Sequence, residues 1–221
     1  ALSGPLAGSG REIRVGIDMA VEEINRRGGI RSLGGAKVEI AYGDSQAKPD
    51  VANSETERLI TSEKVLAVMD MYPSVTSLAA SQAAERLKTP FYVGVSAADS
   101  LTERGFRYIF EQVRKASDIA RFEIEYLNAL SAASPSKLTR VAVIHEDGDY
   151  GQVVEGSLGK LLKENGYDVV ATLSYPFRTT NVSTMLSRVK AANPDVIIQV
   201  SYIGDGILIS RTASQLKLNM P

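Results

Sequence analysis

The sequence predicts a parallel α/β fold arranged as two successive units. Short runs rich in β-branched residues alternate with amphipathic helical stretches along the chain. Several runs, such as 65–71 (VLAVMDM) and 195–200 (DVIIQV), are apolar almost without interruption, which marks strands covered on both faces. A polar stretch at 111–117 (EQVRKAS) interrupts the alternation near the middle. Strands joined through helices of this length need crossover connections, and therefore parallel sheets flanked by helices.

From Arg11 the residues Ile13, Ile17, Ala20, Val21 and Ile24 recur at helical spacing. Arg26-Arg27 then Gly28-Gly29 close that helix, with positive charge on its negative end and glycine past its last turn. Residues 37–42 (KVEIAY) alternate polar and apolar and read as a strand. Residues 50–62 read as a helix with Val51, Leu59 and Ile60 inward, and 65–71 as a buried strand. A helix over 74–87 is ended by Pro90, and 91–95 (FYVGV) is the next strand. The plan then repeats. A helix over 117–130 carries Ile119, Phe122, Tyr126, Leu127 and Leu130 on one side, followed by a strand at 140–145 (RVAVIH). A helix over 150–165 presents Val153, Val154, Leu158, Leu161 and Leu162 and is closed by Gly166. A strand at 168–174, a helix marked by Val182, Met185, Leu186 and Val189, a buried strand at 195–200 and a helix over 204–216 complete the reading.

The expected division is a first unit at 1–113, lacking an opening strand, and a partial second unit at 114–221, with the crossing near 111–117. The chain enters its first helix from a loop and stops at Leu218-Asn219-Met220-Pro221, where another strand is due. The pattern therefore leads us to expect a protein that continues in both directions.

Composition narrows the function. Lys and Arg number 25 against 26 Asp and Glu, so no net positive field exists to attract nucleic acid. Without cysteine, disulfides, thiolate catalysis, iron–sulfur clusters and cysteine-based zinc sites are all excluded. His145 stands alone, which removes multi-histidine metal sites and paired-histidine relays. No phosphate-binding glycine motif and no GxSxG occurs. No cofactor and no metal is expected, and nothing positive supports an enzyme.

Ligands of open α/β sheets bind beyond the carboxyl ends of the strands. After 65–71 comes Tyr72-Pro73-Ser74-Val75-Thr76-Ser77, where hydroxyls and N–H groups at a helix start suit a carboxylate or phosphate; Ser74 equally suits a simple cap. After 91–95 come Ser96 and Ala97, small enough for a ligand to approach the backbone, with Asp99 or Ser100 as a cap. After 140–145 comes Glu146-Asp147-Gly148-Asp149-Tyr150-Gly151. Its carboxylates do not match a calcium loop, so Asp149 reads as an N-cap and Tyr150 either lines a pocket or covers the sheet. After 195–200 come Tyr202, at a place equivalent to Tyr150, and Asp205, an N-cap or a partner for a cationic group.

The segments LSGPLAGSG, GIDMAVEEINRRGGI, GDSQAKPDVA, PSVTS, SAADSLTERGFRYIF, VAVIHEDGDYGQ and KAANPDVIIQVSYIGDG run through the whole chain in order. Together they resemble the type I periplasmic solute-binding proteins of branched-chain amino acid ABC transporters. The resemblance implies two Rossmann-like lobes joined by hinge strands, closing on a small ligand and docking on a membrane permease. It implies a periplasmic or extracytoplasmic location, with lipid anchoring as one form, and a monomer. It also implies that Ser74 and nearby N–H groups hold a ligand carboxylate, with Val75 and Thr76 in that helix start. Val95, Ser96 and Ala97 would add backbone groups and a hydroxyl, and Tyr150 and Tyr202 would close over the ligand. Ala97 stands where this branch often has Thr, and Tyr72 replaces a small residue. These departures widen the expected ligands to an aromatic acid, another amino acid, a short amide or urea. The alternative functions are a sensor domain of the same fold and, least favoured, an enzyme using Asp147, Asp149 or His145 as acid or base.

Overall fold

The computed structural model describes residues 1–70, 72–218 and 220. Met71, Asn219 and Pro221, which the sequence reading placed in strands or at the chain end, lie outside the described residues. The chain divides into two units, the first comprising residues 1–96 and 100–113, the second residues 97–99 and those from Arg114 onward.

The first unit contains α1 (Ala7–Arg26), α2 (Pro49–Thr61), β1 (Val68–Asp70), α3 (Ser74–Arg86), β2 (Phe91–Val93), the short α4 (Ser100–Glu103) and β3 (Ile109–Glu111). Helix α1 starts four residues earlier than the apolar spacing suggests, anchored by the buried Leu6, whose carbonyl accepts Gly10 N–H at 3.0 Å. It ends as expected: Gly28 and Gly29 take φ of 101° and 78°, and Gly29 N–H returns to Ile24 O. The expected inward stripe is only partly covered, with Ile13, Ile17 and Val21 half-buried and Ala20 and Ile24 exposed. Pro49 begins α2, where its missing N–H costs nothing.

β1, β2 and β3 form a parallel sheet in that order, with Val68, Phe91 and Ile109 in register. These three are buried on the face where α3 packs on β1 and β2. The opposite face, Met69 and Phe110, is more than half exposed. Among the described residues the run 65–71 is not a strand covered on both faces: pairing there is confined to Val68–Asp70, and Leu66 is 90% exposed. Residues 37–42 form no strand, because an alternating segment still needs a ladder neighbour and none of the described residues supplies one. The Asn25 amide stands in for that neighbour, accepting Val38 N–H at 2.8 Å and donating to Val38 O at 2.9 Å.

The second unit contains α5 (Ala116–Ala133), β4 (Arg140–Glu146), α6 (Asp149–Glu164), β5 (Asp168–Tyr175), α7 (Ser183–Ala192), β6 (Val196–Val200) and α8 (Ile203–Gln215). Its parallel sheet has the order β5-β4-β6. Alternation along β4 divides the core. Val141 and Val143 join Ala116, Ala120, Ile124 and Leu127 of α5, Val154, Leu158 and Leu162 of α6, and Val196, Ile198 and Val200 of β6. Ala142 and Ile144 join Tyr175, Val182, Leu186, Val189, Ile209 and Leu218 on the other face. Fully burying one such leucine stabilises the unit by about 1.5–3 kcal/mol. The inward face of α5 is therefore not the one its largest residues suggested: Phe122 and Tyr126 are exposed, and the smaller Ala116 and Ala120 let the helix approach the sheet.

Candidate functional site

In the first unit the loop after β1 enters α3 through Pro73, whose backbone is extended (ψ 175°), preceded by a cis Tyr72–Pro73 bond. Ser74 is the first helical residue and not the cap; Pro73 holds the cap position. Thr76 Oγ1 donates to Pro73 O at 2.7 Å, Ser77 Oγ to the same carbonyl at 3.3 Å, and the Ser77 and Ser96 hydroxyls meet at 2.7 Å. Thr76 and Ser77 are thus engaged with Pro73 O, and Ser77 with Ser96, while among the described residues the buried Ser74 hydroxyl is not drawn into this network. Val75 is half-buried in the same turn, Tyr72 is half-buried beside it, and Val95 is 41% exposed.

Ala97 belongs to the second unit, its carbonyl accepting Ala116 N–H at 2.7 Å. Asp99 also serves α5: its carboxylate accepts Ser117 N–H at 3.1 Å and the Ser117 hydroxyl at 2.5 Å. It caps a helix eighteen residues on, not the turn in which it stands.

At the carboxyl end of β4, Glu146 is 1% exposed. Its Oε2 accepts Gly148 N–H and its Oε1 accepts Gly151 N–H, each at 2.6 Å. Gly148, not Asp149, is the cap of α6, and the capping carboxylate comes from Glu146. Gly151 is required, since a Cβ there would lie 2.1 Å from the backbone O of Glu146, while a Cβ at 148 would lie 2.6 Å from Glu146 Oε2 and would oblige the capping carboxylate to shift. Burial pushes the Glu146 carboxyl above the usual range; the two N–H bonds oppose this, and the charges of Asp147 and Asp205 add to it.

That cap presents Tyr150 in the first turn of α6. Tyr202 occupies the cap position of α8 immediately after β6. The two rings, nominated separately from the sequence, are brought together with centroids 5.8 Å apart. Phe177, from the loop after β5, sets its ring edge-on to Tyr202 at 5.2 Å. Burial, then the charges of Glu123 and Glu146, raise the Tyr150 hydroxyl above its usual range. Asp205 is third in α8 and nine-tenths buried, where its Oδ2 accepts the Tyr175 hydroxyl at 2.6 Å. Burial and then that bond hold the Tyr175 phenol far above its ordinary pKa. His145 is buried with Nδ1 2.9 Å from Glu146 O.

Glu146, Phe177 and Tyr175 were not singled out by sequence. The signal for the last two was present: they flank the carboxyl end of β5, a place where ligands of open α/β sheets gather. Among the described residues no three His, Asp or Glu groups are placed to hold a metal ion, and no helix is long and apolar enough to cross a membrane.

A family model described as periplasmic binding protein matches residues 1–220. The chain is 35% identical to Leu/Ile/Val-binding protein homolog 7 of Brucella suis over 216 residues, covering 96% of this chain and 53% of that protein. It is 32% identical to homolog 8 of Brucella abortus over 97% of the chain. It therefore spans about half the length of these curated relatives. Among solved structures, the branched-chain amino acid transporter substrate binding protein LivJ from Streptococcus pneumoniae, in complex with isoleucine, superposes with a TM-score of 0.83 at 26% identity. That match covers all of this chain and 60% of LivJ. A solute binding protein from R. palustris in complex with 4-hydroxybenzoate reaches 0.85 at 23% identity over 99% of this chain and 56% of its own, a likeness of fold alone. With the family model running through residues 1–220 and relatives above 30% identity along nearly all of its length, the chain belongs to the periplasmic binding protein family.

Proposed function

We propose that the whole protein is the extracytoplasmic solute-binding component of an ABC importer, taking up an amino acid or related small carboxylate and delivering it, as a monomer, to a membrane permease. Residues 1–113 and 114–221 are assigned to its two lobes, with the crossing at 111–117. The observation that carries the reading is the pairing of Tyr150 and Tyr202, rings 5.8 Å apart at the ends of neighbouring strands. The curated relatives, named as Leu/Ile/Val-binding protein homologues, and LivJ with its isoleucine support it.

Each unit carries its own recognition chemistry. A carboxylate leaving water needs several donors to offset its desolvation. The start of α3 offers the Ser74 hydroxyl and the N–H groups of its first turn, together with the positive end of the helix dipole. Tyr150 and Tyr202 supply contact area at low entropy cost. Ligand binding then favours one arrangement of the protein only by its differential affinity for that arrangement.

The test is a thermal-shift titration of the full-length protein against amino acids, aromatic acids and small amides. A ligand that binds only the native state stabilises it by about 2.7 kcal/mol at a hundredfold excess over Kd. Ser74→Ala and Tyr150→Ala, made separately, are each expected to weaken binding about tenfold or more while leaving the ligand-free melting temperature within a few degrees. Unchanged affinity in both variants would refute the site.

A further inference from the structure

We infer that Tyr175 is a positioning residue for solute binding: its buried hydroxyl, tied to Asp205, holds Tyr202 in place against Tyr150. This rests on the solute-binding reading above and goes beyond it.

Tyr175 closes β5, in register with Glu146 of β4, and Pro176 follows it. It is 3% exposed, in a core with Ala142, Ile144, Val182 and Leu186. A phenylalanine would fill such a place with no polar atom to satisfy, whereas a buried tyrosine needs a partner for its hydroxyl. That hydroxyl donates to Asp205 Oδ2 at 2.6 Å and, more weakly, to Val200 O at 3.3 Å. Val200 is the last residue of β6 and Asp205 is third in α8. The two acceptors therefore bracket the turn 201–204, which carries Tyr202 at the cap of α8. One hydroxyl ties down both sides of that turn.

Tyr175 is also anchored to the turn that carries the other ring. Its backbone O accepts Asp147 N–H at 2.9 Å. Asp147 follows Glu146, whose carboxylate fixes Gly148 and Gly151 on either side of Asp149 and Tyr150. The end of β5 is thus a common reference for the starts of α6 and α8, and the 5.8 Å spacing of the two rings is set against it.

Asp205 is nine-tenths buried, and the Tyr175 hydroxyl gives its carboxylate a charge-assisted bond. Burial first, then that bond and the charges of Asp205 and Glu146, keep the phenol protonated, so it remains a donor at neutral pH. Removing the hydroxyl leaves a buried carboxylate short of a donor, which favours movement of the α8 start toward water. A ring on a loosened turn must be ordered again when a ligand meets it, and affinity falls by the cost of that ordering.

Tyr175→Phe removes one oxygen while keeping the ring and the backbone bond. Affinities of the full-length protein for L-isoleucine and for 4-hydroxybenzoate are measured calorimetrically. Tyr175→Phe should weaken whichever probe binds about tenfold. Added to Tyr202→Ala, the same substitution should change affinity by less than about twofold, because the ring it positions is gone. Leu186→Ala, a fully buried truncation in the same core, should lower the melting temperature at least as far yet leave affinity within about twofold. The chain has no Trp, so tyrosines dominate its near-ultraviolet circular dichroism. Without any ligand, Tyr202→Ala should remove less of that signal when combined with Tyr175→Phe than when made alone. Equal losses of affinity from Tyr175→Phe with and without Tyr202, equal losses of signal, or a weakening of the same size by Leu186→Ala would each overturn the inference while the solute-binding reading stands. If neither probe binds, the spectra decide the positioning of Tyr202; if the wider panel of amino acids, aromatic acids and amides is silent as well, both fall.

Discussion

The two units use the same βα alternation but bury it very differently. In the second unit the strands run five to eight residues, and β4 is buried from Val141 through Glu146 between helices on both faces. In the first unit each strand is three residues long and the face carrying Met69 and Phe110 is open. Similar apolar runs therefore produce different burial. What decides the outcome is whether a second helical layer covers the sheet, and a local run of Val, Leu and Met does not encode that layer.

The contrast can be broken most forcefully by truncating one leucine in each unit. Leu158 in α6 is fully buried within the larger core cluster, so Leu158→Ala should cost about 2–5 kcal/mol. Leu66, in the turn before β1, is 90% exposed, and Leu66→Ala should change stability by no more than about 0.5 kcal/mol. Urea unfolding of both variants checks this. Comparable losses would mean that the open surface of the first unit is covered in the protein in solution.

A finer test compares two glycines within α6. A Cβ at Gly151 would lie 2.1 Å from Glu146 O and 2.9 Å from Oε1, whereas one at Gly156 meets nothing within 4 Å. Gly151→Ala should destabilise by about 1–3 kcal/mol through overpacking. Gly156→Ala should stabilise by up to about 1 kcal/mol through helix propensity. If the two variants behave alike, the Glu146 cap does not set the position of the α6 start.

Residues differ in how far their roles could be read from sequence. The placement of Tyr150 and Tyr202 at neighbouring strand ends was accessible because a strand end is visible in the apolar pattern. Phe177 was not, because its loop has no periodicity and its place depends on an Asp147 bond thirty residues back. Glu146, Asp147 and Asp149 look interchangeable in a row; only the fold shows that Glu146 ends β4 facing inward and takes the capping role. Residues 37–42 have the right alternation, but a strand is a relation to a neighbour, and the neighbour is not in the local sequence. Ser74 was nominated by type and place, and what sets it apart among four hydroxyls emerged only from the fold, where Thr76 and Ser77 are engaged with Pro73 and Ser77 with Ser96.

The smallest expected effect contrasts the units through two carboxylates that each accept backbone N–H groups. Asp44, in the first unit, accepts from Leu2 at 2.7 Å, Gln46 at 3.0 Å and Ser3 at 3.2 Å. Its slight burial pushes the carboxyl up, but a bond from the Ser3 side chain together with these N–H bonds outweighs it and lowers the carboxyl to about 2. Glu146 also accepts two N–H groups, yet its burial dominates and raises it above 4.5. The signs therefore oppose. A depressed folded value means that Asp44 contributes stability above its ordinary 3.8, lost as pH falls toward about 2. A raised folded value means that the Glu146 contribution is fully present below 4.5 and is lost as pH rises through the folded value. Asp44→Asn should consequently flatten the acid limb of the stability profile. Glu146→Gln should narrow its deficit, or gain on the parent, as pH rises from about 4.5 toward neutrality. Denaturant midpoints measured across that range for both variants decide it. Parallel profiles for Glu146→Gln and the parent would show that the two glycine N–H groups, not burial, govern the carboxylate, and would remove the electrostatic distinction between the two units.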